Sequence, residues 1–335
     1  MRAFTCRVCD SALYFENSVC VTCGSQLGFS RAERAIVRLS ADDGTYTDAS
    51  GLRWTRCANL GLSGCTWLTE DPEGLCFSCS LTRTRPNDAD LAGLSAFGIA
   101  EQAKRRLIVE LDDLGLPIIP RQADPENGLA FDLLSSTNEE VTIGHADGVI
   151  TIDLAEGNDA YRERLREQLD EPYRTMLGHF RHEIGHYYEP ILIDDGELRA
   201  RYRELFGDER ADYQAEIDRH YAQGPPEDWP ERYISAYATM HPFEDFAETF
   251  AHVLHITDSV DTASAYGLVT VDPSAFTVFR DLVTGVWIPL STALNQINQS
   301  MGKEPLYPFV LAPGVLDKLE FVASLIGRQR AIAAG

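Results

Sequence analysis

Beyond Cys79 the chain contains no cysteine: all 8 thiols of its 335 residues lie near one end. A disulfide framework is therefore excluded from most of the protein. The N-terminus also lacks a basic stretch followed by an apolar run, the pattern of a secretory leader. No window approaches the roughly eighteen uninterrupted apolar residues of a membrane span. These absences lead to the expectation of a soluble, cytoplasmic protein. Positive charge is scarce as well, with 29 Lys+Arg against 52 Asp+Glu and a net charge of -23. An acidic body repels phosphate backbones, which argues against nucleic acid as its partner. Residues 1–86 escape that imbalance, because basic and acidic residues are equal in number there. Only this part could approach nucleic acid.

What is present begins with those cysteines. Cys6-x-x-Cys9 and Cys20-x-x-Cys23 form two knuckles that can close over one tetrahedral ion, as in a zinc ribbon. Cys57, Cys65, Cys76 and Cys79 supply four more thiolates at looser spacing and again end in a CxxC knuckle. In a chain without secretion signals, paired thiols favour zinc over disulfides or a redox CxxC. A region with so few large apolar side chains needs such stabilisation. Spacing leaves open an exchange of ligands between the two groups.

Arg83-Thr84-Arg85-Pro86-Asn87-Asp88 reads as the exit from this module, giving domains 1–86 and 87–335. From Leu91 to Leu114 a helical pattern appears, with Ile99, Ala103, Leu107 and Leu111 four apart. Period-two segments follow at Leu129–Leu133, Val141–Ile143 and Val149–Leu154, with an Asp147-Gly148 turn signal between the last two. They suggest a small antiparallel sheet. After Glu156 the pattern is mostly helical. The expected class is α+β: a small Cys-rich zinc-ribbon domain, then a mainly helical, zincin-like domain carrying the sheet.

His182-Glu183-Ile184-Gly185-His186 lies in a helical run that Pro190 helps to end. Residues i and i+4 share a helix face, so His182 and His186 can grip one zinc ion, with Glu183 placed to act as general base. Catalytic zinc needs a third protein ligand and an open position. Downstream, Pro242 suits the first turn of a helix on which Glu244, Glu248 and His252 recur on one face. Acidic residues in a first turn can simply complement the helix dipole. Beside an apolar side and after HExxH, however, this face fits a second ligand helix of gluzincin type. Asp245 is an alternative carboxylate. His179 shares the face of His182 and reads as a supporting or surface histidine. His241 and His252 can support Glu244 or face substrate, or can be structural.

The order of zinc ribbon, HEIGHYY helix and HPFEDFAETFAHVLH helix resembles the zinc-ribbon metallopeptidases of bacteria over essentially the whole chain. The likeness extends to Ala293–Asn298 and Leu306–Phe309. Glu244 to Glu248 is also similar to lethal-factor-type gluzincins. That resemblance implies Glu244 as the metal ligand and Glu248 as its supporting partner. It further implies Tyr237, seven residues before Glu244, as oxyanion stabiliser. The expected activity is peptide-bond hydrolysis with one catalytic and two structural zinc ions. Its substrate would be a peptide or protein, and the cysteine module is the part suited to a protein partner. Strand Val149–Leu154 is expected to offer an edge to an extended peptide. Two other readings remain: a non-enzymatic adaptor built on the cysteine module, and a zinc hydrolase of non-peptide amides.

Overall fold

A computed structural model describes residues 2–136, 141–157 and 175–334. The chain forms two compact units, one from residues 1–111 with 118–158, the other from 112–117 with 159–335. Among the described residues no helix is long and apolar enough to cross a membrane.

The first unit opens with short antiparallel pairs, β1 (Phe4–Thr5) with β2 (Ala12–Leu13) and β3 (Leu27–Ser30) with β4 (Ala35–Arg38). A three-stranded sheet follows from β5 (Tyr46–Thr47), β6 (Arg53–Arg56) and β7 (Leu68–Thr69). Four buried rings of this part, Phe4, Phe15, Phe29 and Trp67, pack together; Phe29 sits 4.9 Å from both Phe15 and Trp67. Such aromatic pairs add stabilisation beyond the area they bury.

The same unit holds a four-stranded sheet of order β10-β11-β9-β8 (in chain order Thr82–Thr84, Ala130–Leu134, Gly144–Ala146 and Val149–Asp153). It is mixed, which corrects the antiparallel expectation: β8–β9 and β9–β11 are parallel, and only β10–β11 is antiparallel. Parallel neighbours require a crossover, and helix α1 (Leu91–Leu114) supplies it between β8 and β9. The hairpin at Asp147-Gly148 forms as expected, both residues having positive φ (48° and 78°) as a two-residue primed turn requires. Its first strand starts at Gly144, three residues after the predicted start at Val141. Strand β11 lies between β10 and β9, so it offers no free edge, against the expectation of peptide pairing there. The buried face of α1 carries Phe97, Ala100, Leu107, Ile108 and Leu111, whereas Ile99 is exposed.

The second unit is helical: α2 (Met176–Leu192), α3 (Gly196–Phe206), α4 (Tyr213–Gln223), α5 (Pro242–Ala265), α6 (Ile288–Ser300) and α7 (Pro313–Ala334). The helical stretch expected over 158–174 lies outside the described residues. Thr175 caps α2, its Oγ1 accepting the Gly178 N–H at 2.9 Å. Pro190 lies within the last turn of α2, which ends at Leu192. His241 caps α5, and Pro242 occupies its first turn as predicted. Helices α2 and α5 pack through Phe180, Ile184 and Tyr188 against Phe246, Phe250 and Leu254, all buried, with Tyr188 stacked on Phe250 at 5.7 Å.

Candidate metal centres

Three groups of metal-ligating side chains converge among the described residues. In the first unit, Cys6, Cys9, Cys20 and Cys23 gather with Cys6 Sγ 3.7 Å from Cys23 Sγ and Cys9 Sγ 3.6 Å from Cys20 Sγ. Four sulfurs around one zinc at about 2.3 Å stand about 3.8 Å apart. The donor set therefore fits a tetrahedral ion. The two knuckles repeat one local design. Asp10 N–H donates to the Cys6 carbonyl and Gly24 N–H to the Cys20 carbonyl, with φ of 57° and 71°. The sequence signal is Cys-x-x-Cys followed by Asp-Ser or Gly-Ser, a short repeat at Cys9-Asp10-Ser11 and Cys23-Gly24-Ser25.

Cys57, Cys65, Cys76 and Cys79 form the second group, all buried, with Cys65 and Cys76 sulfurs 3.6 Å apart. The eight thiols thus sort into the two predicted sets without exchange. The α1 residues Glu101, Lys104 and Arg105 are buried in the same unit, and Glu101 Oε2 lies 3.5 Å from Cys79 Sγ. Lys104 pairs with Glu101 at 2.6 Å, and Arg105 donates to the Ser63 carbonyl at 3.1 Å. Zinc with four thiolates carries net negative charge, and the buried Arg105, whose charge favours the Cys65 thiolate, offsets part of it.

The third group lies in the second unit and joins α2 to α5. His182 Nε2 and His186 Nε2 are 3.1 Å apart, and Glu244 Oε2 lies 3.0 Å from the first and 3.5 Å from the second. Nitrogen and oxygen ligands at about 2.0–2.1 Å around a tetrahedral zinc stand roughly 3.3 Å apart. All three residues are nearly buried, and two neutral imidazoles with one carboxylate suit zinc. The residues fit the metal.

Their surroundings are built to orient them. Glu248 Oε1 lies 2.8 Å from His182 Nδ1, and its Oε2 accepts the Ser235 hydroxyl at 2.8 Å. A carboxylate behind a ligand histidine sets its tautomer and ring orientation. Ring stacking on Phe243, at 4.9 Å and 13°, holds His186, whose Nδ1 has no hydrogen-bond partner among the described residues. Tyr237 sets its ring 5.8 Å from that of His182.

Glu183 is 5% exposed. Its Oε1 lies 3.1 Å from His179 Nε2, while its buried Oε2 has no hydrogen-bond partner among the described residues. Burial pushes this carboxyl up, but His179 and then the charges of His186 and His182 outweigh it and hold it below its ordinary value. The carboxylate form is thus favoured. Glu244 behaves alike: burial opposes ionisation, and the two histidines overcome it.

Other sequence candidates take different places. Asp245 points to α7, accepting a hydrogen bond from Lys318 Nζ at 2.5 Å, and is not part of the His182, His186 and Glu244 group. His241 spends both nitrogens on backbone: Nδ1 accepts the Phe243 N–H at 3.1 Å, and Nε2 lies 3.2 Å from the Ala211 carbonyl oxygen. It shapes the entry to α5 instead of supporting Glu244. His252 is fully buried, with Nδ1 2.8 Å from the Tyr307 hydroxyl and its ring 4.4 Å from Phe309. Asn295 grips the Tyr307 backbone at both N–H and carbonyl, at 2.8 and 2.7 Å.

Tyr213 was missed in the sequence: its hydroxyl donates to Glu244 Oε1 at 2.7 Å. Burial, then the charge of Glu244, pushes this phenol upward and keeps it protonated. Ser235 was missed too. Neither residue shares a helical repeat with its partner.

Residues 93–325 match the model of a family described as "Putative zinc-binding metallo-peptidase", and residues 3–90 match that of a zinc-ribbon domain. Uncharacterized proteins of Mycobacterium tuberculosis strain H37Rv and of Mycobacterium bovis are 51% identical to the chain, covering 97% of it and 95% of their own length. No solved structure matches it significantly. With its larger part covered by that family's model, the chain belongs to the zinc-binding metallo-peptidase family and carries an N-terminal zinc ribbon.

Proposed function

We propose that the chain is a gluzincin-type zinc peptidase, with one catalytic zinc held by His182, His186 and Glu244 and two structural zincs held by the cysteine groups. The observation that carries this reading is Glu183: a buried, ionised carboxylate with one oxygen pinned by His179 and the other unpartnered, adjoining the histidine pair. When bound, zinc would act as a Lewis acid, lowering the pKa of water at the site towards neutrality and polarising a carbonyl. Glu183 Oε2 takes the proton of the attacking water and delivers it to the leaving amine. His179 keeps the carboxylate turned for both transfers. Glu248 and Ser235 hold the His182 ring. The Tyr237 hydroxyl donates to the oxyanion that develops on the scissile carbonyl.

Peptides or proteins are the substrate class, and the acidic body favours neutral or basic ones through steering. The zinc ribbon is the surface for a protein partner. Thiolate-held zinc suits a reducing compartment, the cytoplasm.

Profiling of new protein N-termini with wild type and Glu183→Gln tests the reading. The variant is expected to retain about three zincs per chain and lose cleavage by roughly 10²–10⁴-fold. Undiminished cleavage by Glu183→Gln removes the base, and two tightly held zincs alone would support a non-enzymatic protein.

A further inference from the structure

The Glu244 carboxylate is divided between two neighbours. Oε2 belongs to the ligand triangle, 3.0 Å from His182 Nε2 and 3.5 Å from His186 Nε2. Oε1 accepts the Tyr213 O–H at 2.7 Å. Tyr213 is the first residue of α4, a helix none of whose eleven residues is buried. The phenol is nevertheless steered inward. Its ring packs edge-on against His241 at 5.2 Å, and Nε2 of the same histidine holds the Ala211 carbonyl two residues earlier. Asp212 between them caps α4 by accepting the Ala215 N–H at 2.9 Å. A half-exposed tyrosine is thus fixed at both sides with its hydroxyl on one particular carboxylate oxygen.

We propose that Tyr213 is a positioning residue that confines Glu244 to one-oxygen coordination and so keeps a coordination position open for water and substrate. The inference rests on the zinc-peptidase reading. A carboxylate can bind a metal through one oxygen or both, and a catalytic zinc works only with a position free of protein ligands. An oxygen that accepts a phenol hydrogen bond, as Oε1 does at 2.7 Å, is held towards that phenol and weakened as a metal donor. Without that bond, rotation about the last side-chain torsion brings Oε1 round to compete for the open position. Support of this kind behind a metal ligand is worth roughly 10–100-fold in affinity or activity.

The test uses full-length wild type and Tyr213→Phe whose labile zinc has been stripped and replaced by Co²⁺, the thiolate groups retaining zinc. The visible cobalt spectrum reports coordination number independently of turnover. Tyr213→Phe is expected to show weaker bands, signalling higher coordination, and a kcat lowered roughly 10–100-fold with KM little changed. Asp212→Ala, which loosens α4 but keeps the phenol, is expected to leave the bands as in wild type. A wild-type spectrum in Tyr213→Phe overturns the proposal. So does the same weakening in Asp212→Ala, which would trace the effect to the helix and not to the hydroxyl. Failure of wild type itself to take cobalt outside the thiolate groups would instead sink the zinc-peptidase reading.

Discussion

Gly185 of α2 faces Ala247 of α5 so closely that a β-carbon on the glycine would stand 2.9 Å from Ala247 Cα and 3.2 Å from its carbonyl oxygen. The site is arranged symmetrically about this crossing. His182 and His186 lie three before and one after Gly185, and Glu244 and Glu248 lie three before and one after Ala247. One close backbone approach therefore brings all four chemistry-bearing side chains together. Gly185→Ala would gain up to about 1 kcal/mol of helix propensity. Against this, overpacking costs about 1–3 kcal/mol, and the obstructing atoms are backbone, which cannot swing aside. Net destabilisation with weakened zinc binding is expected, larger still for Gly185→Val. Urea unfolding with zinc titration checks it; wild-type values for both in Gly185→Ala would show that the crossing does not set the ligand spacing.

The 3.1 Å contact of His179 with Glu183 leads to a second expectation. His179→Phe keeps a ring in this buried position but releases Glu183 Oε1, so the carboxylate loses its fixed aim. Turnover should fall roughly 10–100-fold, as for other lost supporting contacts, with zinc content unchanged. Steady-state kinetics beside metal analysis decides the matter. A variant that loses zinc, or one that turns over normally, contradicts the assignment.

How much of this could be read from the sequence follows from the range of each interaction. The His182–His186 pair and the Glu244–Glu248 pair are local consequences of helical periodicity, so their i,i+4 spacing announces them. The CxxC knuckles are local as well. Tyr213 reaches Glu244 across 31 residues and Tyr307 reaches His252 across 55, with no repeat linking either pair. Strand direction was hidden for a similar reason: β9 pairs with β8 and β11 through a crossover and a turn-back that its own alternation does not encode. Val141–Ile143 looked like a strand because apolar alternation marks a surface and not a pairing register; the hairpin runs from Gly144 instead.

The two thiolate groups should yield their metal in a definite order. Cys23 is exposed and Cys9 half-exposed, whereas Cys57, Cys65, Cys76 and Cys79 are all buried. Hydrogen bonding with Ser25 also brings the metal-free Cys23 thiol down to about 6, so once released it reacts readily with a thiol reagent. Chelator or thiol reagent should therefore release zinc from the first group well before the second. Mass spectrometry of partly labelled protein is the measurement. Labels appearing on Cys76 or Cys79 ahead of Cys23 would reverse the expected order.

Acid sensitivity of the helical unit should trace in part to His252. Burial, the largest cause, pushes this histidine down from 6.5 to about 4. The fold thus favours the neutral ring, so its contribution is fully present above pH 6.5 and is lost as pH falls through 4. At 1.36 kcal/mol per unit, the loss amounts to roughly 3 kcal/mol. His252→Gln removes the titration while keeping an acceptor for the Tyr307 hydroxyl. Although the variant starts less stable at pH 7, its urea midpoint, followed by helix signal, should decline less between pH 7 and pH 4 than that of wild type. Because the ligand histidines titrate in both proteins, their effect cancels in the comparison, and parallel declines would show that His252 is not the residue the acid attacks.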